Sequence, residues 1–137
     1  RIVAAASTPG GNGFWLAGAD GGVFSFGDAA FLGSAADLVL NGRVVGMAAT
    51  RTGAGYLLGA ADGGVLTFGD AGFHGSAGGL SLAQPVVGIA TTTTGNGYWL
   101  AGADGGVFSF GDAPFLGSTA SFGAAAPVTG FAATGRA

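Results

Sequence analysis

Seven aspartates are the only acidic residues, and six of them fall into two series with a spacing of 42. Asp20, Asp62 and Asp104 each precede two glycines, and Asp28, Asp70 and Asp112 each sit in a Phe-Gly-Asp-Ala run. Carboxylates repeated in loops suit two kinds of chemistry, calcium ligation and hydrogen bonding to sugar hydroxyls. Calcium takes about six to eight oxygens, whereas Asp-Gly-Gly brings one carboxylate and a few carbonyls. The simpler reading is turn geometry, because Asp tolerates turn conformations and bonds the backbone two residues on.

His74 is the sole histidine and stands where the sister segments carry Leu32 and Leu116. Ser76, His74 and Asp70 offer a Ser-His-Asp set on paper, but they lie on one short stretch without the strand–turn–helix elbow that exposes a nucleophile. A drifted surface position is expected. Glycoside hydrolysis needs two carboxylates in dissimilar environments, which a repeated array supplies poorly. Trp15 and Trp99, with Leu57 between them in the series, could stack on a sugar ring or pack between neighbouring units. The candidate ligand-binding set is therefore Asp20, Asp62, Asp104, Trp15, Trp99 and His74. No catalytic residue, metal ligand or cofactor is assigned, and the expectation is a protein that is not an enzyme.

These positions are placed by an internal repeat. The run Phe14-Trp15-Leu16-Ala17-Gly18-Ala19-Asp20-Gly21-Gly22-Val23-Phe24-Ser25-Phe26-Gly27-Asp28-Ala29 recurs without gaps at 56–71 and 98–113. A fixed period in the forties marks a repeat architecture and takes precedence over local motifs. The domain divides into units 1–42, 43–84 and 85–126, and residues 127–137 begin a fourth.

Each unit reads as four short strands. In the second they are 44–50, 56–61, 65–68 and 73–76, separated by Arg51-Thr52-Gly53-Ala54-Gly55, Asp62-Gly63-Gly64 and Gly69-Asp70-Ala71-Gly72. Aromatic and β-branched residues favour strands. A helix is not expected, since the apolar positions keep no helical period and each interior glycine would cost a helix about 1 kcal/mol. The glycine turns join strands and are not phosphate cradles, which require a following helix. Both faces of the middle strands are apolar, as in Val23-Phe24-Ser25-Phe26, so both should be covered. First strands such as Gly46-Met47-Ala48-Ala49 are built of small residues, as expected where strands crowd round an axis.

Small inner strands, aromatic middle strands and this period predict an all-β fold, a β-propeller with three four-stranded blades of about 42 residues. The β-trefoil, three repeats of about 40 residues closed in one chain, is the alternative; the scarcity of charge and the two-faced strands count against it. The pattern Tyr-Trp-Leu-Ala-Gly-Ala-Asp-Gly-Gly-Val-Phe-Ser-Phe-Gly-Asp-Ala at 98–113 resembles a tandem repeat of secreted, cell-surface and cell-wall-associated actinobacterial proteins. Leu57-Leu58 and Phe73-His74-Gly75 are the main departures from it. The resemblance implies propeller blades and an extracellular or cell-surface location, and it brings no catalytic residues.

Composition narrows the partners. The formal net charge is -3, the charged fraction is 8%, and the four arginines form no basic stripe, so a nucleic-acid partner is not expected. Without cysteine there is neither a disulfide framework nor a thiol nucleophile. Polar residues and glycine interrupt every apolar run short of the roughly 20 residues of a spanning helix. Arg1 follows no initiator Met or signal-like segment, from which the chain is expected to be processed or excised from a longer one.

Three blades cannot close a ring, so the end faces should be covered by a second copy, giving a six-bladed homodimer, or by further blades of a longer chain. The strand 127–134 would pair with that partner or compete with its first strand. Two functions remain open from the residues: a non-enzymatic binding or adhesion module at the cell envelope that takes a glycan, and a structural scaffold whose role is assembly. A hydrolase ranks below both. Any binding surface is expected on the loops that differ most between units, 34–42, 76–84 and 118–126.

Overall fold

The computed structural model describes residues 1–40, 42–79, 82 and 84–117. The described chain is all-β. Nine strands form three antiparallel sheets of three strands each: β1 (Ile2–Ser7), β2 (Gly13–Gly18) and β3 (Val23–Gly27); β4 (Val44–Ala49), β5 (Gly55–Ala60) and β6 (Val65–Gly69); β7 (Val86–Thr91), β8 (Gly97–Gly102) and β9 (Val107–Gly111). The register repeats as faithfully as the sequence, with Leu16 opposite Phe24, Leu58 opposite Leu66 and Leu100 opposite Phe108. A bulge recurs in each first strand, between Ile2 and Ala4, Val44 and Gly46, and Val86 and Gly88.

The three sheets stack in series, and the core lies between them. One cluster joins Trp15, Ala17 and Val23 of the first sheet to Val44, Met47, Tyr56 and Leu58 of the second. Another joins Leu57 and Val65 of the second to Val86, Ile89, Tyr98 and Leu100 of the third. A three-stranded sheet of this size has too little apolar area to stand alone, and sharing a core with a neighbour supplies it. Small residues permit the close approach: a Cβ on Gly46 would come 3.3 Å from Gly88 Cα and from Ile89. Backbone hydrogen bonds cross the same seams. Val44 N–H donates to Ala19 O and Val86 N–H to Ala61 O, both at 2.9 Å, while within the second and third units Ala61 N–H donates to Arg43 O at 2.8 Å and Ala103 N–H to Pro85 O at 2.9 Å.

The predicted fourth strand is not formed. Residues 71–76, and 29–34 before them, join no ladder. Their backbone groups are satisfied by side chains instead. Trp15 Nε1–H donates to Ala30 O at 2.7 Å, and the Tyr56 hydroxyl of the next unit accepts from Leu32 N–H at 3.0 Å and donates to Gly33 O. Tyr98 does the same for His74 N–H and Gly75 O. Gly33 (φ 126°) and Gly75 (φ 124°) lie where side-chain-bearing residues are strained, and a Cβ on either would come 2.9 Å from Phe68 or Phe110 of the following unit. Aromatic-rich sequence favours strand conformation, but here the aromatic neighbours take the backbone polar groups that a fourth strand would use.

The segment ends at the second hairpin of its own unit, β2–β3 or β5–β6, where Ala35 N–H donates to Gly21 O and Ala77 N–H to Gly63 O. The variable loops that follow thus share a rim with the Asp-Gly-Gly turns. The strand predicted at 127–134 and the loop 118–126 lie outside the described residues.

Candidate functional site

Asp20, Asp62 and Asp104 occupy equivalent places on one rim. Each Oδ1 accepts from the N–H two residues on, at Gly22, Gly64 and Gly106, at 2.9 Å. This Asx turn lets the glycine between adopt a positive φ, 91° at Gly63, where a Cβ would meet Ala77 at 2.7 Å. The second carboxylate oxygen is not engaged by any described residue. Among the described residues no three His or Asp side chains gather as a metal-binding group.

Beside Asp62 the rim opens into a cleft of about 400 Å³. One wall is the connection leaving the first unit, Leu38 to Leu40, and the other is Asp62, Phe73 and Ser76. Val39 is 99% and Phe73 59% exposed. Phe73 belongs to a series with Phe31 and Phe115, which are 61% and 62% exposed. A large aromatic ring left in water at the same place in three successive units is unlike a packing residue, which burial would reward by about 1.5–3 kcal/mol. The sequence places Phe73 at the start of a fourth strand. That segment is held by the Tyr98 hydroxyl of the next unit and is not paired within a sheet, which leaves the Phe73 ring outside the core.

The tryptophans lie elsewhere. Trp15 is fully buried against Tyr56, ring centroids 5.5 Å apart, with its indole N–H on Ala30. Trp99 makes the equivalent bond to Pro114 O at 2.7 Å and is only partly buried. Each pairs across its ladder with a serine, Ser25 or Ser109, whereas Leu57 pairs with the larger Thr67. A small residue opposite leaves room for the indole to cross the strand and reach the carbonyl beyond.

His74 is exposed, and its ring lies 5.9 Å from that of Tyr98. It is not hydrogen-bonded to Ser76 or Asp70 among the described residues. Ser76 Oγ accepts from Gly78 N–H at 3.3 Å. Asp70 accepts from the hydroxyls of Thr50, at 2.8 Å, and Thr52.

The second Asp series belongs to the opposite rim. Thr8, Thr50 and Thr92 each donate to an aspartate 20 residues on, Asp28, Asp70 or Asp112, at 2.8 Å. Thr94 adds a second hydroxyl to Asp112, and Thr94 and Thr92 together hold that carboxyl below the usual carboxylate range. These threonines were legible as a 42-residue series but were not singled out. A second cleft of about 400 Å³ opens there between neighbouring turns, lined by Arg51, Thr52, Asp70, Thr94 and Asn96. Burial raises both tyrosine hydroxyls above their ordinary value, with the backbone bonds at Leu32 and Gly33, or His74 and Gly75, acting in the opposite direction.

No protein-family model matches this chain, and the search of curated proteins finds none significantly similar to it.

Proposed function

We propose that the chain is part of a β-propeller and serves as a non-enzymatic binding or adhesion module at the cell envelope, with carbohydrate as its ligand class. The observation that carries the reading is the cleft at the hairpin rim, which sets the exposed Phe73 ring beside the Asp62 carboxylate and the Ser76 hydroxyl. A sugar presents an apolar C–H face and a rim of hydroxyls. An aromatic ring with a carboxylate close by answers both, the ring by contact with the apolar face and the carboxylate by accepting from hydroxyls. Recurrence of the Phe and Asp positions at 42-residue intervals suits weak sites acting together on a polymer, where avidity replaces single-site affinity. The cell-envelope setting rests on the resemblance of the repeat pattern, and the propeller on inter-sheet cores and small inner strands.

The test is a glycan array followed by calorimetric titration of the strongest binder. Binding should be weakened at least about tenfold by Phe73→Ala and by Asp62→Asn, and left unchanged by Asp28→Asn on the opposite rim. A chain that retains no glycan, or binds one equally well after both rim substitutions, would overturn the reading and favour a scaffold.

A further inference from the structure

The two contacts between successive units are built from the same parts. The trailing face of one unit offers the glycine of its last segment and the residue on its middle strand, and the leading face of the next supplies a tyrosine and a phenylalanine. At the first seam Trp15 and Gly33 meet Tyr56 and Phe68; at the second Leu57 and Gly75 meet Tyr98 and Phe110. Both tyrosines are buried to within 1%.

Among the described residues, the outer units carry the unmatched halves of this contact. On the leading face of the first unit, Phe14 and Phe26 stack on each other at 5.0 Å, and each is 45% exposed, with Phe24 beside them at 52%. They occupy the places of Tyr56, Phe68 and Leu66. On the trailing face of the third unit, Trp99 is partly uncovered, Leu116 is 79% exposed, and Gly117 keeps the φ of its sisters, 128°. Among the described residues nothing stands within 4 Å of where its Cβ would be.

We propose that the leading face of unit 1 is an interaction surface for a second copy of this chain, which docks head to tail through the trailing face of its unit 3. Phe14 of one copy covers Trp99 of the other, as Tyr56 covers Trp15, and Phe26 fills the notch over Gly117, as Phe68 fills that over Gly33. The partner is chosen by continuity with a contact formed twice within the chain, and apolar area of this kind left in water favours association. Such a contact is heterologous. It closes if the rotation per unit allows, giving a dimer with two equal seams, and otherwise grows into open oligomers. Docking of this kind follows from the seam geometry and requires no glycan.

One part of the seam is absent. Phe14 has no hydroxyl with which to hold residues 116 and 117 of the other copy, as Tyr56 holds Leu32 and Gly33. Phe14→Tyr should therefore tighten association roughly tenfold, and Phe26→Asp should weaken it about 100-fold or more by placing a charge in the seam. Sedimentation of the full 137-residue chain over a concentration series reads both. Cross-linking with a bismaleimide, whose spacer spans the room left by the ring that cysteine replaces, gives the orientation, since the native chain has no cysteine. A mixture of Phe14→Cys and Leu116→Cys chains should form the mixed dimer in preference to either like pair, and circular dichroism of each variant checks its fold. A chain monomeric at every concentration, association indifferent to Phe26→Asp in a folded variant, no tightening by Phe14→Tyr, or preferential trapping of the Phe14→Cys pair would each overturn the proposal.

Discussion

The Tyr56 hydroxyl lies between two backbone groups of the preceding unit, accepting from Leu32 N–H and donating to Gly33 O. One side chain therefore replaces a stretch of β-ladder. Tyr56→Phe would keep the buried ring but leave that N–H and C=O without their partner. The expected cost is about 1–3 kcal/mol, read as a lower urea midpoint. An unchanged midpoint would mean that water serves the two groups equally well.

Asp112 supplies a pH-dependent contribution. Its folded pKa lies below the ordinary value of 3.8 because Thr94 and then Thr92 donate to it. The stability from this group is present above the unfolded value and lost as pH falls through the lower folded one. Thr94→Val should raise the Asp112 midpoint towards its ordinary value in a carboxyl-carbon NMR titration. It should also flatten the acid limb of a stability profile taken from pH 5 downwards; a midpoint that stays put would show that Thr94 does not set it.

Much of this architecture is legible in the letters alone. The period of 42 locates three of the four segments in each unit, and the Asp-Gly-Gly turns fall where glycine and an Asx bond are required. The segments 29–34 and 71–76 mislead because Phe, Leu and Ser read as strand-forming. What holds them outside the ladder is a tyrosine hydroxyl on the next unit, Tyr56 or Tyr98, and for 29–34 the Trp15 indole as well, which no local window contains. The same segment hides the candidate site: Phe73 reads as the first residue of a strand until its backbone is known to be held from elsewhere. Tyr56, Tyr98 and Phe14 differ by one oxygen at equivalent positions, a difference whose meaning appears only when the seam is seen.

Gly59 faces Ile89 across the second seam, and a Cβ there would come 3.2 Å from Ile89 Cβ. The equivalent positions in the other units are Ala17 and Ala101, and Ala17 shares its cluster with the unbranched Met47. Gly59→Ala should cost about 1–2 kcal/mol through overpacking. Adding Ile89→Met should recover most of that loss. Additive costs in the double variant, measured by thermal melts, would contradict a shared steric origin.

Ser25 Oγ and Ser109 Oγ are buried and have no hydrogen-bond partner among the described residues. Their small volume beside Trp15 and Trp99 accounts for the residue size but not for the hydroxyl. Ser25→Ala should therefore be neutral or stabilise the chain by up to about 1 kcal/mol, because an unpaired polar atom leaves the interior. Ser25→Thr should destabilise it by crowding the indole. A clear loss in the alanine variant would point to a bridging water.

Ala61 is tied to the chain on both sides, its N–H to Arg43 and its C=O to Val86. Stitches of this kind recur wherever one sheet meets the next, so the join is indifferent to which pair of units it connects. Duplicating or deleting a whole unit would preserve every remaining join and change the number of cores by one, whereas a cut at any other length would leave a half-made core. Genes encoding such chains can therefore lengthen or shorten by single modules without inventing a new fold.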